Sequence, residues 1–398
     1  MSQPLDGITV VDLTAAMAGP SCAQLLADFG ADVLKIEPPG KGDMLRDFGP
    51  PFVKGESYYF LLNNRNKRSM TLNLRSEKGM EVFHKLASKA DVIIESFRPN
   101  VKRKLKIDYD DLKGDNPGLI YASVSGFGQT GPYENRAGFD PIAQGMSGLA
   151  SVTGWKHTGP VRVGVAIGDS LGGVYAAIGI LLALLERGRS GKGQRVESSL
   201  LEGLIGVLGF QAAKYFGTNE RPDPQGNDHA MMSPYGTFKT KDGHMNIAAG
   251  NQGMWERLAQ AMGLEHLIED KRFLTVADRV VNRSELTPLL EEKLEGKTSK
   301  EWEKILNEAG VANGPILHID EVFRDPQVLH QKMLLEMDHP TAGTIKTLGF
   351  PSKLSRTPGQ LRLPPPLMGQ HTEEVLKELG YGADEIEAMR TDGVISPT

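Results

Sequence analysis

The sequence predicts an open α/β fold with a mainly parallel sheet, joined to a smaller α+β region. Three observations carry this. Five short runs, Ile8–Leu13, Asp32–Glu37, Ser69–Leu74, Asp91–Phe97 and Leu119–Ser125, read as strands. Helical stretches separate them, Pro20–Phe29 after the first run and Glu77–Ala90 after the third, so the pattern is that of βαβ units. The chain has 398 residues, more than one hydrophobic core usually serves, so two domains are expected.

The elements have local reasons. Pro20 suits the first turn of a helix and Gly30 suits its end. Residues 1–217 form the expected large domain, and the polar, proline-bearing stretch 218–225 a linker. Within Tyr235–Ala249, Asp242-Gly243 between two alternating segments signals a β-hairpin. Thr298 and Glu301 have capping-box spacing, and Gly310 is placed to end that helix. These belong to a small domain, residues 226–311. In the remaining stretch, 312–398, Asp338–Lys346 reads as a turn between strands, Leu363–Pro366 as an extended proline run and Thr372 as a helix cap. That stretch has no core of its own and is expected to pack back on the large domain.

Composition limits the function. Apolar residues make up 39% and charged residues 24%, the balance of an ordinary soluble protein. A net charge of −5 disfavours nucleic acid or an anionic membrane as the main partner. Cys22 is the only cysteine, so there is no intrachain disulfide, and it reads as a small core residue. No Cys/His spacing fits a zinc site. Met1–Gly7 is polar and the apolar run after it is too short for a secretory leader, which fits a cytoplasmic protein. The most apolar stretch, Leu171–Leu185, falls short of a membrane span and reads as a buried helix.

Ligands of open α/β sheets bind beyond the carboxyl ends of the strands. Three loops leave such ends: Thr14–Gly19, Pro38–Asp43 and the glycine-rich Gly126–Trp155. Glu37 stands where a ribose-binding acid belongs, but AAMAGPSCA after the first strand lacks the G-x-G-x-x-G fingerprint, and there is no P-loop. Asp169, in GVAIGDSLGG, permits two readings. It is a helix N-cap, or it is a nucleophile kept ionised by the helix dipole, with Gly168, Gly172 and Gly173 letting a ligand approach closely. The basic groups Arg65, Lys67, Arg68 and Lys102, Arg103, Lys104 read as solvated surface or as a phosphate clamp. The histidines are scattered, and none has triad spacing.

Long motifs add a resemblance. The stretch Val10–Phe52 (VVDLTAAMAGPSCAQLLADFGADVLKIEPPGKGDMLRDFGPPF) resembles the N-terminal signature of class III CoA-transferases of the CaiB/BaiF type. The likeness continues through LNNRNKRSMTLNL, ESFRPNV, SVSGFGQTGPYENRAGFDPIAQGMSGL, VGVAIGDSLGG, SPYGTFKTKDG, AAGNQGMW, FRDPQVLHQKMLLEMDHPTAG and PPPLMGQHT, so it covers almost the whole chain. It implies a Rossmann-like large domain built from both termini, a smaller central domain and an interlocked homodimer. It implies no permanently bound cofactor, with coenzyme A and acyl-CoA as substrates. Asp169 matches the catalytic aspartate. Ala16, Met17, Leu72, Arg75, Ser96, Phe97, Arg98, Lys104, Arg136, Ala137 and Phe139 match CoA-contacting positions, Lys104 standing where many members have arginine. Pro38 replaces an arginine, so that contact is expected to be missing. Gly250, Asn251 and Gln252 match a glycine loop that covers the active site in relatives.

The implied reaction moves CoA from an acyl-CoA to a free acid. Among family members, the tail and SPYGTFKTKDG are most like succinyl-CoA:glutarate-type enzymes, and Arg46 is the candidate cation for a dicarboxylate. Formate–oxalate and carnitine exchange stay open. The related α-methylacyl-CoA racemases carry histidine in a GHD motif where this chain has Gly138, Phe139 and Asp140, and Phe139 cannot accept a proton. A CoA-binding protein without catalysis is the other alternative.

Overall fold

Thr9–Asp12 (β1) is the first strand of a six-stranded parallel sheet in the computed structural model, which describes residues 2–397. Its continuation is α1 (Ala18–Asp28), β2 (Asp32–Glu37), β3 (Lys67–Thr71), α2 (Glu77–Ala87), β4 (Val92–Glu95), α3 (Pro99–Leu105), β5 (Ile120–Ser125), α4 (Asp140–Met146), α5 (Ile167–Ser190), β6 (Arg195–Ser199) and α6 (Leu200–Gly206). The strands are ordered β3-β2-β1-β4-β5-β6, all parallel. The order reverses between β1 and β4, which is where doubly wound sheets open a crevice at their carboxyl ends.

Alternate residues of each strand feed two cores. Val10, Val33, Val92, Ile94 and Ile120 pack with α1 and α5, including Cys22. Val11, Leu34, Ile36, Met70 and Ile93 pack with Val82 and Phe83 of α2. The second core also holds Val375, Leu376, Ile386, Met389 and Ile395, from α9 (Thr372–Glu378) and α10 (Ala383–Thr391) and the residues just after them; α9 and α10 are numbered after the helices of the smaller unit, given below.

The chain divides into two compact units. The larger comprises 1–149, 162–213 and 327–398; the smaller comprises 150–161 and 214–326. The smaller unit therefore starts four residues earlier than the expected linker, runs past 311 and takes in 150–161, which nothing in the sequence marks. It contains the hairpin β7 (Tyr235–Thr240) and β8 (Gly243–Ala248), then α7 (Gln252–Met262), α8 (Ser299–Glu308) and β9 (Ala312–Pro315) paired to β8. Its core gathers around Trp255, Phe273 and Trp302. The Thr298–Glu301 capping box forms, and Gly310 takes φ +67°. In the larger unit, β10 (Leu334–His339) and β11 (Gly343–Leu348) form a hairpin whose turn is residues 340–342; the rest of Asp338–Lys346, expected as the turn, is strand.

Several expectations change. Strand β3 starts at Lys67 and ends at Thr71, earlier than the apolar run Ser69–Leu74, because Lys67 is buried as part of an ion pair. Strand β6 was not expected, since RVESS at the sheet edge has no apolar run. Thr372 opens its helix rather than capping it; its hydroxyl donates to Gly369 O at 2.8 Å, and His371 holds the N-cap position. The apolar helix is longer than Leu171–Leu185: α5 has 24 residues, long and apolar enough by composition to cross a membrane. One face of it, Gly168, Gly172, Gly173, Ala176, Ala177, Ile180 and Ala183, is buried within this unit.

Candidate active site

The crevice at the switch point is a cavity of about 270 Å³. Its walls are the loop after β1 with the start of α1 (Ala15–Gly19), the loop after β4 with the first residue of α3 (Ser96–Pro99), the end of β5 and the loop after it (Val124–Gly128), the stretch Arg136–Phe139 before α4, and Asp169. A second cavity of about 660 Å³ adjoins it, sharing Ala15, Met44 and Phe97, and adds Leu72, Arg75, Glu37 and Lys41. The structure thus gathers Ala16, Met17, Ser96, Phe97, Arg98, Arg136, Ala137, Phe139 and Asp169 around one space, with Leu72 and Arg75 around the next.

Asp169 is the third residue of α5, and Ala166 holds the N-cap position, so the N-cap reading is corrected. The free N–H of Gly168 is taken by a side chain from α4: Asp140 Oδ1 accepts it at 2.8 Å. The other oxygen of Asp140 accepts from Gln144 Nε2 at 2.8 Å, and Gln144 Oε1 accepts from Val163 N at 2.8 Å. No hydrogen-bond donor among the described residues reaches the Asp169 carboxylate. Burial, and secondly the negative charge of Asp140, push its pKa up to about 6. Desolvation is the larger of the two effects.

The glycines around Asp169 serve packing rather than ligand approach. A Cβ on Gly173 would lie 2.3 Å from Ser21 Oγ and 2.6 Å from Ala18 O, so α5 touches α1 backbone to backbone there. Gly126 and Gly138 likewise cross within a distance that admits no side chain, with 2.6 Å from a Gly126 Cβ to Gly138 Cα. This crossing ties the loop after β5 to the Arg136–Phe139 wall.

Below the cavity lies a buried charge network. Lys67 Nζ pairs with Asp12 at 3.0 Å, and Lys35 Nζ pairs with Asp43 at 2.7 Å. Burial drives Lys67 down to about 8. Burial also works to raise Asp12, but the Lys67 and Lys35 ammonium groups and Thr14 outweigh it and hold Asp12 low. Behind the loop after β4, Lys102 Nζ pairs with Glu95 at 3.0 Å, and Glu95 accepts from Phe97 N at 2.7 Å; burial leaves Glu95 raised.

These pairings revise the basic clusters. Arg65 is buried against Asp28 at 2.7 Å, and Arg68 is held by Asp32, Glu374 and Glu378. Lys67 and Lys102 are interior. Of the two groups only Arg103 and Lys104 are solvated, and Lys104 stands outside both cavity walls. Arg46 is also committed: Nε and Nη2 each reach Glu37 at 2.7 Å and the guanidinium lies over the Phe60 ring. Its charge is matched before any ligand arrives, and Glu37 is not free for a ribose. Gly250, Asn251 and Gln252 belong to the smaller unit, where Asn251 caps α7 and Gln252 Oε1 accepts from Arg279 at 3.1 Å. Nothing in the sequence marks the roles of Asp140, Asp43 or Glu95, since a buried acid and a surface acid look alike there. Among the described residues no His, Cys, Asp or Glu cluster could hold a metal ion.

Residues 5–372 match the profile of CoA-transferase family III. The chain belongs to this family. It is 39% identical over 394 residues to a succinyl-CoA:glutarate CoA-transferase of Mus musculus, covering 99% of this chain and 90% of that one. It is 37% identical over 395 residues to a succinyl-CoA–D-citramalate CoA-transferase of Chloroflexus aurantiacus, covering 99% and 98%. A CaiB/BaiF family protein from Brucella suis has the same fold, with TM-score 0.85 at 40% identity over 95% of this chain and 100% of that one. As a family III CoA-transferase the protein is an enzyme whose substrates include CoA thioesters.

Proposed function

We propose that this CoA-transferase moves CoA from succinyl-CoA to a second carboxylic acid, a dicarboxylate, with Asp169 as the covalent nucleophile. The observation that carries the reading is the Asp169 carboxylate itself: partly desolvated, bonded to no donor among the described residues, and set in the wall of the switch-point cavity. An anion so placed keeps its basicity for attack.

The steps balance without a net proton. A carboxylate oxygen of Asp169 adds to the thioester carbonyl, the C–S bond breaks, and CoA leaves as thiolate with a mixed anhydride behind it. The thiolate attacks the Asp169 acyl carbon and expels succinate, giving an aspartyl-CoA thioester. The acceptor carboxylate attacks that thioester, releases the thiolate and forms a second anhydride. The thiolate then takes the acceptor's acyl group, and Asp169 returns as carboxylate.

Arg98, Arg136, Lys41 and Arg75 stand in the walls of the two adjoining cavities and suit an extended, phosphate-bearing ligand running from Asp169 toward Leu72. With Arg46 bound to Glu37, the cationic side chains left in the Asp169 cavity for a distal carboxylate are Arg98 and Arg136. Phe139 lines the cavity at the position of the racemase histidine and offers no base, which supports transfer over α-proton exchange. The succinyl donor and dicarboxylate acceptor rest on the named activities of the relatives. A homodimer is part of this reading, supported by Val174, Ile178, Leu181, Leu182 and Leu185 of α5, which are exposed together.

A panel of mono- and dicarboxylic acids with succinyl-CoA, read by mass spectrometry of the CoA esters, tests the substrate class. Dicarboxylates are expected to be esterified fastest. Exclusive use of monocarboxylates, or α-deuterium exchange without consumption of an acid, would refute it.

A further inference from the structure

We infer that Asp43, with Lys35, is a positioning device that holds the loop after β1 in the shape that receives CoA, through the left-handed residue Ala16. This rests on the proposal that the adjoining cavities hold CoA. Ala16 has φ +66°, a conformation that costs an L-residue with a side chain and so needs an external hold. Asp43 supplies it. Its Oδ1 accepts the Ala16 N–H at 3.1 Å and the Leu45 N–H at 2.9 Å, while its own N–H donates to Glu37 Oε2 at 2.9 Å. Lys35 Nζ meets the other Asp43 oxygen at 2.7 Å and donates to Thr14 O at 2.8 Å, so one ammonium ties both the aspartate and the start of the loop. Thr14 N is held by Asp12 at 2.9 Å, and Pro20 O, at the far end, accepts from Lys67 at 2.9 Å.

Asp43 and Lys35 are 2% and 0% exposed, so neither is there to be solvated. The loop they hold, Ala15–Gly19, walls the cavity beside Asp169. The arrangement fixes a backbone beside Asp169 by buried side chains: Lys35 lines neither cavity, and Asp43, 2% exposed, sits in the lining of the second cavity and outside the Asp169 cavity wall.

The test is a cycle of Asp43→Ala, Ala16→Gly and the double variant. It is read by calorimetric CoA affinity, by the split between KM and kcat, and by hydrogen exchange of the Ala16 amide without ligand. Asp43→Ala should weaken CoA binding and raise KM for acyl-CoA by about tenfold while kcat at saturation changes little, because the left-handed residue loses its hold. Glycine is at ease at positive φ, so Ala16→Gly in the Asp43→Ala background should recover about fivefold or more of that loss. A merely structural role for Asp43 predicts no recovery, since glycine at 16 replaces none of the bonds to Leu45 or Lys35. If Asp43→Ala does not fold, Asp43→Asn keeps the volume, sets an amide against Lys35 and should show the same rescue in smaller measure. Unchanged exchange of the Ala16 amide, or a loss that Ala16→Gly does not relieve, overturns the inference. Faster exchange in the variant while the wild type binds no CoA would leave the hold on the loop standing and refute the assignment of the cavity.

Discussion

The proposed nucleophile is a carboxylate kept uncomfortable. Its pKa of about 6 against an ordinary 3.8 means that the folded protein binds a proton there more readily than the unfolded chain does. The resulting penalty is fully present above about pH 6 and disappears as pH falls below about 4. The shift of about two units corresponds to about 3 kcal/mol, which the remaining exposure reduces to about 1–2 kcal/mol. Asp169→Asn is therefore expected to abolish transfer and to stabilise the protein at pH 7.5 by that smaller amount, with the gain vanishing at pH 4; thermal unfolding at the two pH values measures it. Since the attacking form is the anion, kcat/KM should fall as pH drops through about 6. Asp140→Asn keeps an oxygen for the Gly168 N–H and removes the repulsion, so this acid limb should move to lower pH; an unmoved limb would mean that Asp140 does not tune Asp169. At Arg46 the two roles separate clearly. Arg46→Met leaves Glu37 buried beside Lys35 without its bidentate partner, and about 3 kcal/mol of stability should go in denaturant titration. The ratio of rates for dicarboxylate and monocarboxylate acceptors should stay as it was, whereas a collapse of that ratio would restore Arg46 as the acceptor's cation.

At the scale of elements, the position of Asp169 depends on how closely α5 can approach α1. Gly173→Val puts side-chain carbon where Ser21 Oγ and Ala18 O already stand, and backbone cannot yield as a flexible side chain can. A loss of about 2–3 kcal/mol is expected, with kcat reduced in the fraction that folds, by thermal unfolding and steady-state kinetics. Strands β1, β4 and β5 were legible because burial on both faces enriches them in apolar residues, and β2 through its apolar Val33, Leu34 and Ile36 despite the buried Lys35 and Glu37. Strand β6 was not, since an edge strand of the sequence RVESS has no such need. The start of β3 was hidden for a different reason: Lys67 looks like surface until Asp12, from a strand 55 residues away, is seen to pair with it. Long-range pairing with Asp28 hid Arg65 in the same way, whereas Lys102 pairs with Glu95 only seven residues back, across the turn from β4 to α3. The cavity walls could be named because they follow strand ends and carry family motifs, while Asp140 and Asp43, which position those walls, carry no local sign.

Over the whole molecule, the two termini of the larger unit meet in one core, where Val11 of β1 packs in the same cluster as Ile395. Residues 327–398 belong to the larger unit while 312–326 fall in the smaller one, and neither that division nor the reach of the smaller unit into 150–161 was readable from the sequence, because association across distant segments leaves no periodic signal. The exposed side of α5 bears on assembly. Leu182 and Leu185 are 62% and 64% exposed, and the proposed homodimer should be disrupted by Leu182→Glu with Leu185→Glu, giving a lower mass in light scattering; an unchanged mass would place the contact elsewhere. The covalent role of Asp169 is tested most directly by incubating the enzyme with succinyl-CoA alone and mapping the modified peptide by mass spectrometry. A CoA thioester on Asp169, converted by hydroxylamine to a hydroxamate and absent from Asp169→Ala, is the predicted result. An unmodified Asp169 during turnover, or full transfer by Asp169→Ala, would contradict it.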